Sequence, residues 1–439
     1  MGVAAASLGE ALVTIAGRDR VRDDAGALAA ASVDGLRPRW VVRPDSLDAL
    51  SRVIALAHDG GLAVVPRGSA SALELGNPPA RLDIVVDLSG LDRTIEYNPD
   101  DLTITVQAGM TVGALAALLA PHRQWLAIDP PGVVSRTLGG VAASNASGPL
   151  RARFGGLRDL LLGARFVQPD GVVTWGGSKV VKSVSGYDVP KLMVGALGTL
   201  GVLAELTLRL HPLPETERSW LVALDRPEAA QDFVARLVDS PLQPNRVELL
   251  NDSAARAGLG ESGSAGVAVS IASVADAVRE QGERLGTFAK AVGAEIVPLP
   301  DGFWRAMSAA MVSPPGSTVL HVASLAGRLA DTVEAIAAIV QAAAPGADVR
   351  LTGCAVLGTL RLVVGGASVS GMAEVTTRVR AWVGELGGSA VIASGPVELR
   401  RGVDPWGPIE SGALGLMRTL RDEFDPKRVL NPGRFVGGL

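Results

Sequence analysis

Between residues 40 and 70 the spacing of apolar positions changes twice. Trp40, Val41 and Val42 are consecutive, then Leu47, Leu50, Val53, Ile54 and Ala57 recur at helical intervals, and "LAVVP" is again continuous. This predicts strand, helix and strand, with Pro44, Asp45 and Ser46 opening the helix and Gly60-Gly61 stopping it. The second strand runs into Arg67-Gly68-Ser69-Ala70-Ser71. Small residues after a strand gather backbone N–H groups in one concavity, as phosphate sites do; on this segment alone an ordinary tight turn reads as well. Further along, "LDIVVDLS" reads as a strand and "TIEYNPDDLTITVQAG" as a hairpin about Asn98-Pro99-Asp100. "TVGALAALLAPH" reads as a helix, and "LLLGARFVQPDGVVTWGG" as two strands about a Pro-Asp-Gly turn. A long strand then ends at "HPLP", and a domain boundary is expected near Pro214.

From Glu215 to Gly402 the pattern changes. "SWLVALDRPEAAQDFVARLVDS" and "STVLHVASLAGRLADTVEAIAAIVQAAAP" each read as strand then helix, and "RLVVGG" and "AVIASGP" as strands. An antiparallel sheet with helices on one face is expected. The predicted class is α+β, divided into residues 1–214, 215–402 and a tail, 403–439. Gly258 to Gly263 spells the dinucleotide string GxGxxG, but it follows "DSAARA" and leads into the strand "VAVSIAS". That context is reversed, and the string is discounted.

The stretch "TLGGVAASNASG", residues 137–148, has almost no side-chain bulk. It invites close approach to its backbone, either by another element or by a flat ligand. Composition narrows the choices. At 439 residues the chain exceeds one core, and a net charge of -4 gives no electrostatic reason for nucleic acid or an anionic membrane. Cys354 stands alone, so no internal disulfide forms, and His58, His122, His211 and His321 lack the spacing of a helical metal pair. No metal is expected. No run of about 18 apolar residues appears, and Glu10 interrupts the apolar start, a poor secretion signal. The expectation is a cytoplasmic protein, at the inner face of a membrane only through a partner.

The combination "VVRPDS…VVPRGSAS", "DIVVDLSGLDR", "LTITVQAGMTVGAL", "TLGGVAASNASG", "GGSKVVKSVSGYDVPKL" and "GALGTLGVLAELTLRLHP" resembles the FAD-binding domain of the vanillyl-alcohol oxidase (PCMH-type) flavoproteins. "FDPKRVLNPGRF" resembles their C-terminal tail, while "QWLAIDPP" and "SNASGPLRARFGGLRDLLLG" are similar to the FAD-binding subunit type of glycolate oxidase (GlcE-like). The resemblance implies a PCMH-type FAD-binding domain, then a smaller antiparallel cap. It implies that Pro66, Arg67, Gly68, Ser69, Ala70, Ser71 and Ala72 wrap the diphosphate, and that Pro131 and Gly132 border the isoalloxazine or ribityl chain. Thr137, Leu138, Gly139, Gly140, Ala143, Ser144, Asn145 and Gly148 would lie along the cofactor, with Thr137 capping the helix and its first N–H groups facing the pyrophosphate. Gly201 and Val202 would meet the adenine part, and Asn431 the flavin ring. Lys182 and Tyr187 would stand near N1 of the flavin, although for Lys182 a solvated basic loop reads equally well.

Some relatives attach FAD through a histidine after the arginine; here Ser69-Ala70-Ser71 stand there, so non-covalent FAD is expected. Related 2-hydroxy-acid dehydrogenases carry histidines and an acid in the substrate domain, but the corresponding "LTGCAVLGTLRLVV" has neither. His321 is then the base candidate, with Arg305 and Arg361 for a substrate carboxylate. The implied function is the FAD-binding subunit of a glycolate or D-2-hydroxy-acid oxidase complex, with a GlcD-like flavoprotein and an iron–sulfur (GlcF-like) subunit as partners. Lacking a base, the isolated chain would be nearly inert. The alternatives are a standalone 2-hydroxy-acid or alcohol oxidoreductase and an electron-silent structural subunit.

Overall fold

The computed structural model describes the backbone of residues 2–179 and 186–439, and the side chains of residues 8–179, 186–261 and 263–439. Its first sheet contains β1 (Val21–Arg22), β2 (Trp40–Val42), β3 (Val64–Arg67) and β4 (Ile84–Asp87), in the order β1-β2-β4-β3. β2 and β3 both run parallel to β4. Val64, Val65, Ile84, Val85 and Val86 are all fully buried, as a parallel sheet covered on both faces requires. The second sheet is antiparallel: β5 (Thr94–Asn98), β6 (Thr103–Gln107), β8 (Leu161–Val167), β9 (Val173–Gly177) and β10 (Val202–Arg209), ordered β5-β6-β10-β8-β9. Both expected hairpins are present in it. A small pair joins β7 (Gln124–Trp125) to β11 (His211–Pro212).

The eight remaining strands form one antiparallel sheet. They are β12 (Thr216–Ala223), β13 (Arg246–Leu250), β14 (Gly266–Ser273), β15 (Glu295–Pro298), β16 (Thr318–Ala323), β17 (Asp348–Cys354), β18 (Thr359–Gly365) and β19 (Ser389–Ser394), ordered β15-β12-β14-β13-β17-β18-β16-β19. Alternate residues face opposite sides. Val222, Leu249, Val267, Leu320 and Leu362 pack with the helices Pro227–Val238, Ala275–Ala291, Leu329–Ala343 and Val369–Glu385. Leu221, Leu250, Ala268, Val319 and Val363 meet Ala254, Phe303 and Met307 on the other side. The expected one-sided arrangement is thus corrected: the short helices Asp252–Leu259 and Phe303–Ala310 partly cover the second face. That face looks toward the first unit. Arg246 Nε contacts Asp129 Oδ2 at 2.9 Å, and Gly132 N donates to Ser308 O at 3.1 Å.

The chain end returns to the first sheet. Asp425, fully buried, accepts from Val429 N at 3.0 Å and Leu430 N at 2.8 Å, and pairs with Arg421 at 3.1 Å. The Arg421 guanidinium donates to Leu430 O at 2.6 Å. So held, the tail adds to β3: Val64 N donates to Val429 O and Asn431 N to Val64 O, both at 2.8 Å. Beyond it, Arg434 donates to Leu73 O at 2.5 Å and Leu75 O at 2.8 Å, fixing the loop after β3. Asp425→Ala would leave the Arg421 charge buried and unpaired. A loss of about 3–5 kcal/mol in chemical denaturation is expected.

Candidate functional site

Two narrow clefts of about 70 and 60 Å³ share Pro66, Arg67, Gly68, Thr137, Gly140, Ala143 and Leu197, and form one groove. Ser69, Ala70, Ser71, Ala72, Ser144, Asn431 and Arg434 line one part, and Gly139, Gly201 and Val202 the other. Gly68 lies so close to the Thr137 hydroxyl that no Cβ fits between them. Ala70 takes φ +61°, which turns the loop. Among the described residues, the N–H groups of residues 69–72 donate to no protein oxygen.

The small residues of the helix Leu138–Ser144 serve two purposes. A Cβ at Gly139 would meet the Ala108 Cβ at 2.8 Å, so this glycine admits protein. A Cβ at Gly140 would meet only the hydroxyl of its own cap, Thr137, at 2.9 Å, and otherwise looks into the groove. Here one expectation fails. Leu138 N donates to Met110 O at 2.9 Å, Gly139 N to Ala108 O at 2.7 Å and Gly140 N to Thr137 Oγ1 at 3.3 Å, so the helix start is already satisfied by protein. Anion binding falls instead to the loop at 69–72.

Other expectations are corrected too. The Arg67 guanidinium is bound to Asp87 at 2.9 Å, so only the Arg67 backbone serves the groove. Although burial works the other way, the Ser89 hydroxyl and Arg67 hold the Asp87 carboxyl below its usual range. Leu138 is fully buried in the core, whereas Val202, also buried, keeps its place in the lining of the groove. Gly201 lines the groove with its Cα side against Phe166, while Gly148 packs on Asp129 at the separate cavity and Asn145, at φ +49°, ends the helix. Tyr187 is 97% exposed and stands apart from the groove. Lys182 lies outside the described residues.

Arg434 was missed by sequence reasoning. It is 2% exposed, its Nε and Nη1 have no partner among the described residues, and burial lowers its pKa to about 10. The Asn431 Nδ2 donates to Leu197 O at 2.5 Å, while its Oδ1 is also buried without a partner. Loop amides without acceptors, a guanidinium with two nitrogens unpartnered among the described residues and small-residue walls together suit a flat, anionic dinucleotide.

A separate cavity of about 260 Å³ lies between the eight-stranded sheet and the first unit, reached by Asp129, Pro131 and Gly148. Its sheet wall carries Glu248, Thr352, Cys354, Arg361 and His321. Register explains the grouping: Glu248 pairs with Cys354, Thr352 with Arg361, and Arg361 with His321, so all five share one face. The Arg361 Nη1 donates to His321 Nε2 at 2.6 Å, and its Nη2 to Met311 O at 3.1 Å. Because a guanidinium only donates, the Nε2 lone pair is occupied. Burial, then Arg361 and Arg136, push His321 down to about 3. With that lone pair engaged by Arg361, the Nε2 of His321 is not free to take a substrate proton, against the expectation of a base there. Arg305 is also misplaced, since it lines an open cleft with Thr216 and Asp301 instead.

Burial and Arg136 lower Arg361 to about 10, still cationic at neutral pH. The Arg136 Nε donates to Pro131 O at 2.6 Å, and burial lowers its pKa. Among the described residues neither arginine has an ion-pair partner. At the other end Asp129 is tied to Arg246 and to Leu150 N at 2.9 Å, yet burial raises its pKa over these contacts. Glu248, 8% exposed, is pushed up to about 8 by burial and by Asp129, against its hydrogen bond with Thr352. Burial first, then Glu248, push the Cys354 thiol up to about 12, leaving it unreactive. Sequence reasoning missed Glu248, Asp129 and Arg136; a glutamate inside the wholly buried run "RVELL" was the available signal for the first.

The model of an FAD binding domain matches residues 38–177, and that of the FAD linked oxidases' C-terminal domain matches 213–299 and 407–435. Over 49% of its length the chain is 29% identical to glycolate oxidase subunit GlcD of Bacillus subtilis, spanning 46% of that protein. It is 32% identical to a mitochondrial D-lactate dehydrogenase [cytochrome] of Saccharomyces cerevisiae over 49% of this chain and 37% of that one. The chain thus spans less than half the length of these two relatives. At 24% identity it matches 91% of an FAD-linked oxidoreductase of Mycobacterium tuberculosis over 91% of its own length. In fold it is similar to alkyldihydroxyacetonephosphate synthase, with a TM-score of 0.77 and 16% identity over 98% of this chain and 86% of that one. Among the described residues, no helix is long and apolar enough to cross a membrane, and no group of three or more His, Cys, Asp or Glu could hold a metal ion.

Two predictions follow from this geometry. Gly140→Leu should empty the groove of flavin while leaving the circular dichroism near wild type, since overpacking costs about 1–3 kcal/mol at the point of cofactor approach. Full flavin content would show that Gly140 faces protein only. Glu248 gives a pH signature. Between its ordinary pKa of 4.5 and about 8 the unfolded chain has lost this proton and the folded chain keeps it, so its contribution to stability falls as pH rises through that window. Thermal melts of Glu248→Gln against wild type should therefore show the variant gaining relative stability from pH 5 to 8.

Proposed function

We propose, for a chain that carries the FAD-binding domain and the C-terminal domain of the FAD-linked oxidases, that it is an FAD-dependent oxidoreductase acting on a small 2-hydroxy carboxylate. FAD is the cofactor, and bound in the groove it supplies a two-electron acceptor. Residues 69–72 and Arg434 would hold its diphosphate, Gly140 and Ala143 would lie along it, and Asn431 would reach the ring. Attachment is non-covalent, since Ser69 and Ser71 offer no nitrogen and Cys354 is a buried thiol in the other unit.

The observation that carries the substrate reading is Arg361, half-buried in the cavity wall beside His321, with the half-buried Arg136 near enough to perturb both and neither arginine holding a carboxylate partner among the described residues. Such cations are partly shielded from water and have no counter-ion among the described residues. An entering carboxylate would supply one in a water-poor space where Coulomb attraction is strong. His321 then acts as a positioning residue, fixing the guanidinium. The two relatives named above act, by name, on glycolate and D-lactate, which share the 2-hydroxy carboxylate group.

The expected inertness of the isolated chain rested on the lack of a base for the hydroxyl proton and of a metal site to replace one. Glu248 and Asp129 in the cavity remove that ground. A place in a glycolate or D-2-hydroxy-acid oxidase complex, beside a GlcD-like flavoprotein and an iron–sulfur subunit, remains part of the proposal. The run Gln124–Pro131 that carries this resemblance also supplies Asp129 and Pro131 to the cavity wall.

Anaerobic mixing of the purified flavoprotein with glycolate or D-lactate should bleach the flavin. In Arg361→Ala the loss of a charged hydrogen bond, about 1.5–3 kcal/mol, should raise the half-saturating acid concentration roughly 10- to 150-fold. An unchanged value would remove Arg361 from substrate binding.

A further inference from the structure

A 2-hydroxy acid losing its hydride must also lose its hydroxyl proton, and the receiving group must lie within hydrogen-bond reach. The cavity offers three candidates. His321 already accepts a hydrogen bond from Arg361 on the nitrogen that would take the proton. Asp129 is held on both oxygens, by Leu150 N and by Arg246, and so serves to join the two units. Among the described residues Glu248 is held only by a hydrogen bond with Thr352, which leaves its second oxygen free. It lines the cavity, and among the described residues no cation lies within ion-pair distance of it.

Placement supports the same choice. Glu248 on β13 and Arg361 on β18 are separated by one intervening strand, β17, and point to the same face. At about 4.8 Å per strand and a two-residue offset, their backbones are roughly 10–12 Å apart. Two long side chains reaching inward across that span leave room for one small bifunctional molecule. A carboxylate at the arginine end would put its hydroxyl toward the glutamate end.

We propose that Glu248 is the proton acceptor of the reaction, a catalytic residue that contacts the substrate hydroxyl. This rests on the 2-hydroxy-acid reading above. The C–H bond breaks with its electron pair leaving as hydride to the flavin of FAD. The O–H electron pair forms the second bond of the new carbonyl, and the proton goes to a Glu248 carboxylate oxygen. Substrate is oxidised by two electrons and FAD reduced by two. The charged and titratable groups around Glu248 are Asp129 from the first unit, Arg246 two residues earlier on its own strand, Glu217 on β12, Cys354 on β17, and Arg151. Asp129 adds like charge, and Arg246 is committed to Asp129 and Glu217. The ionised form of Glu248 is therefore a strong base for a carboxylate, available as pH rises toward 8.

The test compares wild type, Glu248→Gln and Glu248→Asp as purified flavoproteins of equal flavin content. For wild type, the second-order rate of flavin bleaching by D-lactate or glycolate should rise with pH to a limb near 8. Glu248→Gln should be slower by about 10²- to 10⁴-fold and lack that limb, with Glu248→Asp recovering part of the rate. A readout independent of turnover accompanies it: the infrared difference between wild type and Glu248→Gln should contain the C=O band of a protonated carboxyl, lost as pH passes 8. Bleaching of Glu248→Gln at the wild-type rate, or a difference spectrum without that band, overturns Glu248 as the acceptor while leaving the substrate reading intact. A wild-type flavin that neither acid bleaches overturns the substrate reading, and the acceptor with it.

Discussion

One buried carboxylate, Asp425, holds the chain end against the first sheet. Two backbone amides and the Arg421 guanidinium converge on it with no exposure to solvent. That anchor acts together with Val429 and Leu430, both fully buried in the core of the first sheet, to lay residues 429–431 beside β3, since a three-residue edge contributes little alone. With it, Asn431 and Arg434 are delivered to the groove, and the loop after β3 is clamped through Leu73 and Leu75. The groove is therefore assembled from both ends of the sequence, and a local tie far from any ligand decides its shape.

The second unit uses polar groups differently. In the groove, unsatisfied donors face a small, apolar trough. In the cavity, cations and carboxyls are kept at opposite ends of one sheet face. The β17 strand, carrying Thr352 and Cys354, separates Glu248 from Arg361. Were the two adjacent they would pair, and neither a carboxylate site nor a proton acceptor would remain. Burial then acts on each alone, lowering the arginine and raising the acid. Opposite shifts at the two ends follow from the same low-dielectric surroundings.

Much of the first unit was legible in the sequence because its signals are local. Helical spacing from Leu47 to Ala57, the two hairpin turns and the small residues at 68–72 and 137–144 each report on their own neighbourhood. What escaped depends on distant chain. Nothing in "TLGG" tells that Gly139 meets Ala108 while Gly140 does not, because both glycines look alike until the second sheet is folded. Likewise Arg305 and Arg361 are equivalent as letters, and only strand register puts the latter beside His321. Glu248 was overlooked because β13 is buried throughout and shows no alternation to mark a cavity face.

The central claim is the proposal that the cavity binds a hydroxy acid by its carboxylate at Arg361, with Arg136 nearby, so that its C–H faces the FAD held in the groove. A crystal structure of the flavoprotein with oxalate, a small dicarboxylate that cannot lose a hydride, tests this most directly. The account predicts an oxalate carboxylate within hydrogen-bond distance of Arg361 and Arg136, on the Pro131 side of the cavity, with the FAD diphosphate against residues 69–72. Oxalate bound at the open cleft of Arg305, with Arg361 and Arg136 untouched, would contradict it.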